Sequence, residues 1–172
     1  MSTFVLIEKY TVGAGGASSV TLGSGGTIPQ TYTDLIIKSS ARCSVDGDAF
    51  KLQFNGVTSN SNYSSRMLVG NGSSASSNTP GQTNYILSGY TSTITSNTFG
   101  NQEIYVPNYT SSSAKSVGVD NVQEANQTLA YSNLVAGLYS TSTSGITSIT
   151  IGFASGTIQQ YSTFYLYGIL KA

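Results

Sequence analysis

The sequence predicts an all-β fold, an antiparallel β-sandwich of jelly-roll or related Greek-key topology with about 9 to 11 strands. Three observations predict it. Apolar residues recur with period two in short runs, connections rich in Gly and Ser separate these runs, and no long stretch has the period of an amphipathic helix. Ser, Thr, Asn and Gly make up 81 of the 172 residues, but 38% are hydrophobic and they are grouped. This grouping is typical of a folded chain and not of a disordered one.

The predicted strands follow one another along the chain with short breaks between them. AFKLQFN is the clearest, because its apolar and polar residues alternate from Phe50 onwards. Asp46-Gly47 predicts a hairpin turn, because both positions accept positive φ, and Pro107 marks a strand end or a sheet edge. Residues 71–83 are expected to be mostly a polar loop, and a single helical turn is the one helical element considered, within residues 122–131. The eleven predicted strands are 3–11, 17–22, 32–40, 49–55, 63–70, 83–90, 101–109, 113–120, 130–140, 146–153 and 161–170.

These strands are expected to form one domain over residues 1–172, with residues 1–12 as a candidate attachment strand or arm. A chain of this length buries about 70% of the surface that its unfolded state exposes, which is enough for one core. The alternation assigns one side of each strand to that core. The predicted core residues are Leu35, Ile37, Phe50, Leu52, Phe54, Met67, Val69, Ile104, Val106, Val117, Val119, Leu134, Leu138, Ile149, Ile151, Phe153, Phe164 and Leu166.

Composition argues against several classes of function. With no His and one Cys, the chain has neither a His/Cys zinc site nor a Ser-His-Asp or Cys-His catalytic system. Seven basic and seven acidic residues give a net charge of zero, which argues against nucleic acid as a partner. No apolar stretch approaches the roughly 20 residues of a membrane span. The opening MSTFVLIEKY has no basic region ahead of its apolar run, so we expect no signal peptide and synthesis in a cytoplasm.

The seven carboxylates form no recognisable catalytic or metal-binding motif. Asp46 and Asp48 flank Gly47 and have oxygens to offer calcium, but the further ligands of a calcium loop are missing and a turn explains the spacing. We therefore expect no catalytic residues, no metal ligands and no cofactor, and a protein that is not an enzyme.

The 12 Tyr are the most informative residues for function. Tyrosine combines a large apolar ring with a polar hydroxyl, which suits protein interfaces and sugar stacking. Packing within half-buried strands accounts for most of these residues. A minority is expected at an interface, and the candidate interface residues are Phe4, Tyr10, Tyr85, Tyr90, Tyr105 and Tyr109.

Several segments resemble a group of structural proteins encoded by tailed bacteriophages, many of them from aquatic samples. The similar segments cover nearly the whole chain, and the most specific strings are TVGAGGASSVT, IPQTYTDL and the closing YGILK. The others are FVLIEKY, IIKSSAR, LQFNG, NYSSRMLVGNGSSASS, EIYVPNY and YSTFYL. No catalytic motif anchors the resemblance.

The resemblance implies a component of the virion. The first hypothesis is a capsid decoration (cement) protein on the capsid exterior, made in the host bacterial cytoplasm. It would bind the major capsid protein or other virion proteins as a symmetric homo-oligomer, a trimer. The alternative is a head or tail fibre module, or a receptor-binding module, that recognises host surface polysaccharide. A cellular carbohydrate-binding module comes third, and an enzyme last.

Overall fold

The strands of this protein form two antiparallel sheets in a computed structural model that describes residues 3–59, 61–78, 83–90, 95–124, 126, 130–140 and 144–170. No helix occurs among these residues, so the all-β prediction is confirmed. The described strands are β1 (Thr3–Thr11), β2 (Ser19–Leu22), β3 (Asp34–Ala41), β4 (Ala49–Phe54), β5 (Tyr63–Gly70), β6 (Ala75–Asn78), β7 (Ile86–Tyr90), β8 (Gly100–Val106), β9 (Lys115–Gln123), β10 (Tyr131–Tyr139), β11 (Ile149–Phe153) and β12 (Thr163–Leu170).

Eight of the strands have jelly-roll connectivity. The large sheet has the order β1-β12-β3-β8-β9-β10-β5-β6, and the small sheet has the order β2-β11-β4-β7. If β5, β6, β9 and β10 are set aside, the first remaining strand pairs with the last, the second with the second to last, and so on inwards. That nested pairing is the wrapping of a jelly roll. The four strands set aside extend the large sheet beyond β8.

The core lies between the sheets as one cluster of buried side chains. Phe50 and Phe153 pack with ring centroids 4.5 Å apart, and Tyr63 stacks on Tyr139 at 4.9 Å. The Tyr63 hydroxyl lies 3.0 Å from the Phe54 amide nitrogen, from which it accepts a hydrogen bond, and 3.0 Å from the Val57 carbonyl oxygen. This buried hydroxyl therefore joins the aromatic cluster to the end of β4.

The predicted core residues are buried, apart from three on the added strands. Val69 is half-buried, whereas Leu134 and Leu138 are wrongly assigned: they are 53% and 40% exposed. The buried side of β10 carries Asn133, Val135, Gly137 and Tyr139 instead. Asn133 is accommodated there because its amide donates to the side-chain oxygen of Asn121 at 2.7 Å.

Two local predictions are also corrected, and a third falls partly outside the described residues. Gly47 has the expected positive φ of 67°, but the turn joins β3 of the large sheet to β4 of the small sheet and is not a hairpin. The region expected to be a polar loop contains β6, which pairs with the edge of β5. Where a helical turn was considered, β9 continues to Gln123, and residues 125 and 127–129 lie outside the described part. Pro107 does follow the end of β8, as predicted.

The N-terminal segment is an integral strand and not a free arm. β1 pairs along its length with β12 at one edge of the large sheet. A β-bulge between Leu6 and Glu8 changes which side of the sheet its side chains face. Glu8 also accepts a hydrogen bond from the Gly23 amide at 2.6 Å. Strand β1 is therefore part of the jelly roll, and any role in attachment falls to its exposed side chains and outer edge.

Two of the strings that carry the phage resemblance meet in this fold. Tyr32, from IPQTYTDL, lies against Gly168, from YGILK, and a Cβ at Gly168 would overlap the tyrosine ring. The glycine is needed here because the ring occupies the place of its missing side chain.

Candidate functional site on the outer face of the large sheet

A row of apolar side chains crosses the solvent side of the large sheet at the end formed by β1, β12, β3 and β8. Leu6 lies directly opposite Tyr167, Tyr167 opposite Ile36, and Ile36 opposite Tyr105. Directly opposed residues share one face of a sheet, so these four side chains form a continuous surface. With Phe4 and Tyr165 on the same face, they define the aromatic patch. Phe4 is 56% exposed, whereas Ile36 is only 7% exposed.

Charged and hydrogen-bonding groups surround the aromatic patch. Lys9 Nζ lies 5.4 Å from the centroid of the Tyr165 ring, and Lys38 forms an ion pair of 2.8 Å with Glu103. The Tyr105 hydroxyl donates to Asp34 at 2.9 Å. Partial burial and this hydrogen bond raise the pKa of Tyr105, which keeps its hydroxyl protonated. The patch therefore combines apolar rings with polar groups held in place.

A second apolar surface lies at the other end of the same face. Leu134 of β10 lies directly opposite Leu68 of β5, and the two side chains are 53% and 59% exposed. With Leu138 they define the leucine patch. Two neighbouring depressions, of about 450 and 480 Å³, share Leu68 and Leu134 in their lining. Serines surround the three leucines: Ser64, Ser77, Ser116 and Ser132.

The structure does not bring the six candidate interface residues together. Phe4 and Tyr105 lie on the outer face of the large sheet, within the aromatic patch. Tyr10 is 40% exposed but lies beyond the bulge, opposite Phe164, and so points to the other side of the sheet. Tyr85 is half-buried, and Lys51 Nζ lies 5.8 Å from its ring centroid.

Of the last two candidates, Tyr109 does not contribute to this surface. Tyr109 is fully buried, and its hydroxyl donates to the Pro29 carbonyl oxygen, so it is a core residue and not one that an interface partner could reach. Burial raises its pKa. The side chain of Tyr90 lies outside the described part of the structure.

The sequence analysis missed the leucine patch because it assigned the leucines of β10 to the core. One signal for it was present: YSNLVAGLY has apolar residues on both sides of the strand. Such a strand can bury one side and expose an apolar surface on the other.

One acidic residue elsewhere in the described chain, Asp48, has a structural role. Asp48 is buried and accepts backbone hydrogen bonds from Ala49 at 2.9 Å, Ser155 at 3.0 Å and Gly156 at 2.7 Å. It thus anchors the loop after β11. Within the described residues no three His, Cys, Asp or Glu side chains cluster as a metal site would require.

The comparisons with known proteins assign no family. No family model matches the chain, and no curated protein matches it. In the described part of the chain, no helix has the length and apolar character that spanning a membrane requires.

Proposed function

We propose that this protein is a structural component of a tailed-bacteriophage virion, a capsid decoration protein that binds the outer capsid surface through the aromatic patch. The sequence resemblance supports the class of protein. The observation that carries the choice of surface is the row from Leu6 to Tyr105, which is apolar although the core lies on the other side of the sheet. Exposed apolar patches of this kind, bordered by polar groups, are typical of protein interfaces.

Under this proposal the chain is made in the host bacterial cytoplasm and then displayed on the capsid exterior. Its partner is the major capsid protein or another virion protein. Closed symmetry favours a homotrimer on the particle, with each copy contributing the same surface. Binding to the assembled shell and not to its free subunits would stabilise the shell by mass action.

The first experiment is quantification of the chain in purified virions. A decoration protein is expected in numbers comparable to the major capsid protein. Particles that lack the chain would refute the proposal.

The second experiment locates the binding surface. Shells prepared without the chain are incubated with the purified wild-type protein, with Phe4→Ser and with the matched control Tyr161→Ser, which removes an aromatic ring that is 66% exposed outside the aromatic patch. We expect Phe4→Ser to weaken binding and Tyr161→Ser to leave it unchanged. Equal binding by all three proteins would exclude the aromatic patch as the attachment surface.

A fibre or receptor-binding module is the second candidate. The aromatic patch favours it in one respect, because rings beside fixed polar groups, such as the Tyr105 hydroxyl on Asp34, suit a sugar ring. A small copy number per particle, together with saturable binding to a bacterial surface polysaccharide, would support this function in place of decoration.

A further inference from the structure

The leucine patch lies on the strands that extend the large sheet beyond the eight strands of the jelly roll. Strands β9, β10, β5 and β6 extend the large sheet, and the inner sides of β9, β10 and β5 already contact β7 of the small sheet. On their outer side Leu68 and Leu134 remain more than half exposed. Covering this surface is favourable, because it removes apolar side chains from water.

Two opposite charges lie diagonally across the patch. Asp120 of β9 is directly opposite Leu134 of β10, and Arg66 of β5 is directly opposite Ala136, which is the next outward residue of β10. With strands about 4.8 Å apart and a rise of about 6.8 Å per two residues, the two positions are roughly 12 Å apart. At this separation of their strand positions, Asp120 and Arg66 do not form an ion pair with each other.

This arrangement is self-complementary. Asp120 and Arg66 are on the two strands that flank β10. Val135 of β10 lies at the midpoint between their positions. A two-fold axis that lies in the plane of contact, passes over this point and is perpendicular to the line from Asp120 to Arg66 places each Arg66 against the partner's Asp120. The same rotation brings Leu68 and Leu134 onto the partner's leucines, with the strands of the two sheets crossing steeply, as in orthogonal sheet packing.

We propose that the leucine patch is an isologous interface between two copies of this chain. In such an interface one surface meets itself, so both ion pairs form or neither does. The two pairs fix the orientation of the copies, and the leucines between them provide the buried apolar area.

The proposal is independent of the virion role. The aromatic patch is centred on β12, four strand spacings or roughly 19 Å from β10, so it remains available to another partner. A two-fold contact is also compatible with trimers, because it would join two of them. A failure of capsid binding therefore has no bearing on this interface, and the measurement below decides it alone.

The test is a charge exchange between two variants, with molecular mass in solution measured by sedimentation equilibrium. Arg66→Asp alone sets two acidic side chains against each other at both contacts, and Asp120→Arg alone sets two basic ones against each other. We expect each variant alone to have half the mass of the wild-type assembly. An equal mixture of the two should recover the full mass, because in a mixed pair the first variant contributes an acidic side chain to each contact and the second variant a basic one.

Two leucine variants complete the experiment. Leu134→Ser should halve the mass, whereas the matched control Leu6→Ser, which alters an equally exposed leucine on the same face outside the patch, should not. Circular dichroism checks that each variant keeps its β structure. The proposal is overturned if the wild-type mass does not exceed that of the single charge variants, if the mixture fails to recover it, or if Leu6→Ser has the same effect as Leu134→Ser.

Discussion

Replacement of Asp48 by Asn should destabilise the fold, by an amount that the contacts allow us to work out. The carboxylate accepts backbone hydrogen bonds from Ala49, Ser155 and Gly156, and it also receives the Cys43 thiol at 3.5 Å. An Asn side chain has one acceptor oxygen and one NH₂ group. Whichever way the amide turns, at least one backbone N–H loses its acceptor. Hydrogen bonds to charged groups contribute about 1.5–3 kcal/mol each, so we expect a loss of about 3 kcal/mol.

The assay is urea unfolding followed by circular dichroism. With a slope of about 2 kcal/mol per molar urea, a loss of ~3 kcal/mol lowers the midpoint by roughly 1.5 M. Asp46→Asn is the control: this carboxylate lies on the same turn but is exposed, where a charge contact contributes at most about 1 kcal/mol, so a much smaller change is expected there.

The effect of Asp48→Asn should also depend on pH. Burial would raise the pKa of Asp48, but the backbone hydrogen bonds from Gly156, Ser155 and Ala49 outweigh it, so the pKa lies below its ordinary 3.8. The charged carboxylate therefore stabilises the fold fully above pH 3.8, and this advantage is lost as the pH falls through the lowered value. A difference between wild type and variant that is small at neutral pH, or that persists unchanged in strong acid, would refute this explanation.

Three further predictions concern the core and the loops. Tyr63→Phe removes the hydroxyl that accepts from the Phe54 amide, and should cost about 1–3 kcal/mol in urea unfolding, while Tyr161→Phe at the surface should change little. Gly168→Ala places a methyl group against the Tyr32 ring and should cost about 1–3 kcal/mol by overpacking; Gly70→Ala, which has open space around it, is the control, and an equal loss in both would contradict the packing argument. Burial raises the pKa of Cys43 from 9.0 to about 11, so the wild type should lose stability as the pH rises from 9 towards 11, and Cys43→Ala should lack this part of the alkaline decline when midpoints are compared.

The alternation of apolar residues predicted most strands because it is a local property. AFKLQF buries Phe50, Leu52 and Phe54 as expected, since all of its large apolar residues lie on one side. The alternation could not decide which side of β10 faces the core, because both sides carry apolar residues. There the choice is made by neighbours that are distant in sequence: Asn121 receives the Asn133 amide, and Ile86 packs where a side chain at Gly137 would lie.

Strand β6 and the candidate site escaped prediction for related reasons. Ala75–Asn78 has no apolar pattern, and it becomes a strand only because β5 offers it an edge. The aromatic patch depends on register across β1, β12, β3 and β8, which no single segment encodes. Sequence reasoning therefore found Phe4 and Tyr105 individually, but grouped them with Tyr109, whose exposure depends on how the loops close over it.

The pairing of β1 with β12 has a consequence for how the chain is made. The 151 residues between Thr11 and Thr163 must leave the ribosome before β1 can meet the one large-sheet strand that pairs with it in the described structure. At typical synthesis rates of about 5–20 residues per second, this takes roughly eight to thirty seconds. During that time Phe4, Leu6 and Tyr10 belong to a nascent segment without its partner strand, and such a segment is a natural place for a chaperone to bind.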